Sequence, residues 1–285
     1  MSMEKSKKYK KPLTIEQQVD YLEKSKRVVY KEISKEESGE FLYTHNYINV
    51  ISPFKYHFAK KDDKGNVIKN KSHCHIYESD VDFVQYMNRY CNERTLYPNL
   101  YTALSIFEST FNSILSCEVI NHYDLRNEKN IELFIQELMQ NTLNLRSVSF
   151  SEKQHMLRTI NSFPNSIDKY DSVFIFFDRL SFSELATIYK SINNKISYKI
   201  FEAMTSELLN LGYTKKRDFD NSLTTLIQIR NCIMHSNSLT ILIRYYNVKK
   251  KLLRTAKDKK RYTKIIDQLF IISSSKENYY YGKGR

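Results

Sequence analysis

The chain has 285 residues, with 45 lysines and arginines against 32 acidic residues and a formal net charge of +13. Its 5 glycines and 4 prolines are too few for the many turns of an all-β sandwich, and no apolar run is long enough to span a bilayer. The positive excess calls for a polyanionic partner. With no apolar region behind the charges of MSMEKSKKYKK, no secretory signal is expected, so the chain is expected in the cytoplasm with nucleic acid rather than a membrane as its partner.

Residues 2–11 form a basic tail containing Lys7, Lys8, Lys10 and Lys11. A helix is predicted from Thr14, where T-I-E-Q puts Gln17 at the capping-box position and Ile15, Val19 and Leu22 make an apolar stripe. Glu36 to Asn46 reads as a second helix. Tyr47 to Phe58 is aromatic and broken at Pro53, DDKG (Asp62 to Gly65) is a turn, and the polar segment through Ser72 is a loop.

Longer helical patterns follow. Asp80 to Tyr97 carries Val81, Val84, Met87 and Tyr90, with Pro98 as a break. Leu100 to His122 is a long amphipathic helix whose polar face includes Glu108, Asn112 and Glu118. Ile131 to Leu145 is the next, and Ser151 is expected to cap a short helix through Ile160. The apolar run SVFIFF (Ser172 to Phe177) lacks partner strands and reads as the start of a buried helix. Ser183 is expected to cap Glu184 to Ile192, and Gly212 to end a helix from Ile196 to Leu211. Asp218 or Asp220 is expected to cap the helix that leads to Arg230. Helices over Leu239 to Arg254 and Tyr262 to Ile272 and a ten-residue tail complete the chain. With no repeat and no low-complexity linker, the expected division is an N-terminal segment, 1–75, on a helical core, 76–285, or a single domain.

The cysteines, Cys74, Cys91, Cys117 and Cys232, include no C-x-x-C pair, and adjacent side chains in His73-Cys74-His75 point apart, so no metal or other cofactor is expected. The 22 tyrosines and 16 phenylalanines suit base stacking and a packed helical core alike.

Chemistry gathers at NSLTTLIQIRNCIMHSNSL, Asn221 to Leu239, where Leu223, Leu226, Ile227 and Ile233 form a buried stripe and Arg230, Asn231 and His235 follow as R-N-x-x-x-H. From Arg230, Asn231 lies at about 100° and His235 near 140° around the helix, so the three share one side. RNA carries its own nucleophile in the 2′-hydroxyl. Its cleavage needs a base, an acid for the leaving 5′-oxygen and donors for the crowded phosphate. Histidine can move the protons, arginine can fork two donors onto a phosphate, and asparagine can orient either. One chain supplies one such histidine, so an acid–base pair from this motif calls for a homodimer. The motif is short, and Arg230 on a solvated face with His235 at a helix end is the alternative.

The motif resembles that of the HEPN ribonucleases, and the chain around it is similar to the Abi-like family of abortive-infection proteins, of the AbiD/AbiF type. The resemblance runs in order through KKPLTIEQQVDYLEKSK, EFLYTHNYINVISPFKYHF, LSIFESTFNSILSCEVINHY, FFDRLSFSELATIY and RNCIMH. It departs at Asn49, where the family has arginine, at Ser183, where glycine is common, and at Ser113 and Ser116, in the neighbourhood of the family's arginines.

This resemblance implies an all-α fold, a HEPN-type bundle with additional N-terminal helices. It implies a composite site formed by a homodimer and metal-independent endoribonuclease activity, leaving a 2′,3′-cyclic phosphate and a 5′-hydroxyl, in a toxin-like effector of phage defence. Arg230 then stabilises the transition state, Asn231 orients the site and His235 acts as base or acid. It also implies a structured non-coding RNA as regulator. The basic tail, with Lys249, Lys250, Lys251, Arg254, Lys257, Lys259, Lys260 and Arg261, suits such an RNA through phosphate contacts. The competing expectations are an RNA-binding protein without cleavage and a structural adaptor that only dimerises.

Overall fold

The computed structural model describes residues 12–71, 74–146, 148–163, 173–205, 213–247, 252–253 and 255–281. It is all-α, as expected, with two short strand pairs. It divides into two compact units, one made of the described residues up to Leu96 together with Asn237–Ile241, the other of Tyr97–Ser236 and the described residues from Leu242 on.

In the first unit, α1 (Ile15–Lys26) starts at Thr14 with the capping box read from T-I-E-Q, each partner's side chain accepting from the other's backbone N–H. A second box, Ser34 with Glu37, starts α2 (Lys35–His45). Pro53 separates two single turns, α3 (Tyr47–Val50) and α4 (Lys55–Phe58), as the break at that position requires. Strand β1 (Val28–Val29) pairs in parallel with β2 (Val81–Asp82), Val28 opposite Val81. Asp82 then caps α5 (Phe83–Thr95) with Oδ1, accepting from the Val84 N–H, while Oδ2 accepts from the N–H groups of Lys31 and Glu32. One carboxylate thus starts a helix and ties down the chain leaving β1. The helix begins at Phe83 rather than Asp80 because 81–82 are held extended by that pairing. The polar segment after DDKG is not a plain loop: Lys61 bridges Val67 around a turn in which Gly65 has φ of 78°, and further on Lys69 bridges His75.

Helix α6 (Tyr97–Tyr123) is the axis of the second unit. Pro98 sits in its first turn, where an N–H has no intrahelical acceptor, so it starts the helix rather than breaking it. Leu100, Leu104, Phe107, Phe111, Leu115 and Val119 are buried at helical spacing. Around α6 pack α7 (Glu128–Asn144), α9 (Val173–Asp178), α10 (Phe182–Ser191), α11 (Asn194–Met204), α12 (Lys216–Met234) and α14 (Ala256–Tyr281), and α8 (Phe150–Asn161) packs on α7. Val173 to Phe177 is helical, as expected of SVFIFF. Phe107 and Phe111 of α6, Phe182 and Tyr189 of α10, Phe201 of α11 and Phe219 of α12 form one aromatic cluster with centroid separations of 5.6–6.4 Å.

Several boundaries differ from the sequence reading. Ser149, not Ser151, caps α8 through a box with Glu152, and Ser181, not Ser183, caps α10 through a box with Glu184. In each pair two serines compete, and only the earlier one stands three residues before a glutamate. Neither Asp218 nor Asp220 caps α12, which begins at Lys216; Asp220 accepts instead from the Tyr189 hydroxyl and pairs with Lys216. Helix α11 ends at Met204, and Gly212 lies outside the described residues. No helix runs from Leu239 to Arg254: α13 (Leu239–Arg244) is followed by strand β3 (Tyr245–Asn247), antiparallel to β4 (Leu252–Leu253). The described part of the expected tail is helical, since α14 continues to Tyr281.

Lys26 is buried in the first unit. It donates to the Tyr77 hydroxyl at 3.0 Å and lies over the Tyr77 ring. Burial, then repulsion from Lys55, lowers its pKa from 10.5 to about 8. The unfolded chain therefore binds this proton more tightly, and Lys26 makes stability rise with pH between those two values. Relative to Lys26→Met, the natural chain is expected to gain up to about 1.4 kcal/mol per pH unit from pH 8 to pH 10 in urea unfolding; parallel stability curves would contradict a buried ammonium. In the second unit, Phe219→Ala is expected to cost about 3–5 kcal/mol, measured the same way, and a loss under 1 kcal/mol would mean that the cluster does not carry the fold.

Candidate functional site

Helix α12 presents its residues to different surroundings. Phe219, Leu223, Leu226, Ile229 and Ile233 are fully or nearly buried. Ile227, read as part of the buried stripe, is only half-buried, and Ile229 takes that place. The motif sits on the last turn and a half. Arg230 is half-buried, and its Nε donates to Glu108 Oε2 of α6 at 3.3 Å. The two side chains are 31% and 23% exposed, enough shelter for the pair to be screened less than a surface ion pair. This ion pair uses the Nε edge, so the Nη fork that would grip a phosphate lies outside it.

Asn231 and His235 are exposed. They are joined through the backbone: the His235 N–H donates to the Asn231 carbonyl at 3.1 Å, which closes the last helical turn. The next residue, Ser236, has φ of 50°, so the chain turns away immediately after the histidine and leaves its ring at the helix end. Among the described residues no side-chain hydrogen bond links Arg230, Asn231 and His235. Arg230 is directed to α6, whereas Asn231 lines an open cavity between α8, α10 and α12.

Past the turn, Asn237–Ile241 belongs to the first unit. There Glu93, buried on α5, accepts from the Ser238 hydroxyl, the N–H groups of Leu239 and Thr240, and the Thr240 hydroxyl at 2.6–3.1 Å. One carboxylate thereby satisfies the donors at the start of α13, where a helix needs acceptors.

Of the basic residues singled out in the sequence, Lys257, Lys259, Lys260 and Arg261 are exposed within the first six positions of α14, where Arg261 pairs with Asp258 at 3.3 Å. Lys7, Lys8, Lys10, Lys11, Lys249, Lys250, Lys251 and Arg254 lie outside the described residues.

The sequence reading placed Glu108 on a polar helix face but did not pair it with Arg230, since nothing in the spacing links residues so far apart. It also missed the residues that share the cavity with Asn231. Their one legible trace is the spacing of Thr224, Gln228 and Asn231, polar residues that recur on one side of the helix, away from its buried stripe.

Residues 40–240 match a family model described as Abi-like protein, a span that includes α12 and the whole R-N-x-x-x-H motif. Comparison with curated proteins and with solved structures gives no match.

The Arg230–Glu108 contact is open to a double-mutant cycle. Glu108→Gln and Arg230→Gln are each expected to destabilise, with a coupling of about 0.5–1 kcal/mol between them in denaturant unfolding. Strict additivity would mean that the pair does not orient the arginine.

Proposed function

The chain belongs to the Abi-like family, a membership that ties it to abortive infection as phage defence, and we propose that it acts there as a metal-independent HEPN endoribonuclease. The observation that carries this reading is the R-N-x-x-x-H motif on one helix end, inside the matched span, with the arginine braced by a carboxylate and the histidine exposed. The chemistry uses the substrate's own nucleophile. One histidine takes the proton of the 2′-hydroxyl, and the 2′-oxygen attacks phosphorus. The P–O5′ bond breaks, and the 5′-oxygen leaves with a proton from an acid. The products are a 2′,3′-cyclic phosphate and a 5′-hydroxyl.

Arg230 offers its fork to the phosphoryl oxygens as charge builds, and the Glu108 pair limits the rotamers it must give up to do so. Asn231, one turn before His235, orients the reacting group. Base and acid cannot both be one imidazole in one step, so the second comes from the same motif of a second copy, in a composite site across a two-fold axis.

A second reading, an RNA-binding protein without cleavage that holds or is held by a structured RNA, is favoured by the exposed cations at the start of α14. The two readings part on product formation. Incubated with total RNA and EDTA, the natural chain is expected to yield cyclic-phosphate ends, and its expression to slow growth of a bacterial host. His235→Ala and Arg230→Ala are expected to lower the rate by about 10²–10⁴-fold. Sedimentation is expected to give twice the 34.0 kDa chain mass. RNA left equally intact by all three proteins would sink the nuclease reading, and retained salt-dependent binding would then favour the second.

A further inference from the structure

Two cavities lie side by side along α12. One, of about 500 Å³, is bounded by α8, α10 and α12 and has Asn231 in its wall. Its neighbour, of about 340 Å³, reaches back along the same helix to Asp220 and Asn221. Lys190 and Thr224 line both, so the two make one furrow. From Asp220 to Asn231 it follows about 16 Å of helix axis, enough for a few nucleotides of an extended strand. Thr224, Gln228 and Asn231 fall within about 60° of one another around the helix, and one further turn puts His235 in that sector. The furrow therefore runs toward the exposed histidine.

Its walls mix apolar side chains, among them Met156 and Ile227, with polar ones, and the three carboxylates in them, Glu152, Glu184 and Asp220, each already accept hydrogen bonds from the protein. Asp220 accepts from the Tyr189 hydroxyl at 2.7 Å and pairs with Lys216 at 3.0 Å. Glu184 accepts from Thr159 at 2.8 Å and from Ser181, and lies 3.3 Å from His155 Nε2. Burial opposes the charge on Glu184, yet the donors of Ser181 and Thr159 outweigh it and hold the carboxyl below its ordinary range. Glu152 is likewise held by Ser149. Lys190 differs. It is half-buried, makes no ion pair among the described residues, and donates only a long hydrogen bond, 3.4 Å, to the Thr224 hydroxyl. What a ligand meets is thus a sheltered ammonium, within reach of the charges of Asp220 and Glu152 but ion-paired to neither, beside hydroxyls and an amide: Ser151, Ser183, Thr187, Thr224 and Asn231. Such a lining suits a polymer with an anionic backbone and hydrogen-bonding edges left open, which a single RNA strand has and a duplex does not.

We propose that this furrow is the track of single-stranded RNA, with Lys190 on a backbone phosphate and the hydroxyl and amide lining on ribose and base edges, leading the strand to His235. The inference rests on the nuclease reading for the destination of the strand, though not for the contacts along the furrow. The test uses the full-length His235→Ala chain, so that the probe survives, and a fluorescein-labelled oligouridine followed by anisotropy. Adding Lys190→Gln or Thr224→Glu is expected to weaken binding about tenfold. Lys190→Gln is also expected to flatten the slope of log K against log salt by about 0.7, one phosphate contact on a single strand. Thr224 is exposed on the helix, so Thr224→Glu carries the test if Lys190→Gln impairs folding, as judged by thermal melting.

Unchanged affinity and salt slope in folded variants, or no binding by the parent, would overturn the furrow. Cleavage separates this from the parent reading. If the natural chain cleaves RNA and Lys190→Gln leaves KM and kcat alone, the furrow fails and the nuclease stands. If nothing is cleaved but both variants bind more weakly, the nuclease fails and the furrow stands as an RNA site.

Discussion

The second unit depends on how one aromatic side chain is buried. Phe219, at the start of α12, is enclosed by Phe107 and Phe111 of α6, Tyr189 of α10 and Phe201 of α11. Aromatic rings bury large areas in a restricted set of mutual orientations, so this contact sets both the depth and the rotation of α12. Once the rotation is set, every other position on the helix has an assigned environment. Leu223, Leu226, Ile229 and Ile233 continue the buried side, Arg230 meets Glu108 at its edge, and Asn231 and His235 are left to solvent.

The polar contacts refine what that burial allows. A half-buried guanidinium without a carboxylate would be costly, so the Arg230–Glu108 pair is a condition of placing an arginine there at all. The end of the helix is handled differently. His235 closes the last turn, Ser236 takes a positive φ, and the chain passes into residues 237–241 of the first unit, where Glu93 gathers the free donors that start α13. Asp82 plays a comparable part in that unit, joining a two-residue strand pair to the start of α5. Both carboxylates do work that the backbone cannot do for itself at a junction between elements.

How far the chain could be read from its letters varied with the range of the interactions. Thr14 with Gln17 is a local contract, and the capping box appears as written. In the pairs Ser149/Ser151 and Ser181/Ser183 the cap lies two residues earlier than serine alone suggests, because serine alone does not choose a cap, whereas serine with a glutamate three residues on does. Leu239 to Arg254 has a helical pattern and is interrupted by a strand pair, since short apolar runs fit either period and a neighbouring strand decides.

The sequence by itself determined the all-α class, the long buried spacing of α6, and the R-N-x-x-x-H motif at the end of an apolar helix. The last two rest on periodicity within one segment, which the 3.6-residue turn converts directly into a face, while the class rests on the few glycines and prolines and on the resemblance along the chain. Only the tertiary structure decided that Arg230 turns to Glu108, that Asn231 opens onto a furrow, and that Lys190 lies in it without an ion pair among the described residues. Those facts join α6, α8, α10 and α12 across up to 122 positions of chain. Local spacing carries no information about which helices will meet, because that is settled by the packing of side chains such as Phe219 into a shared core.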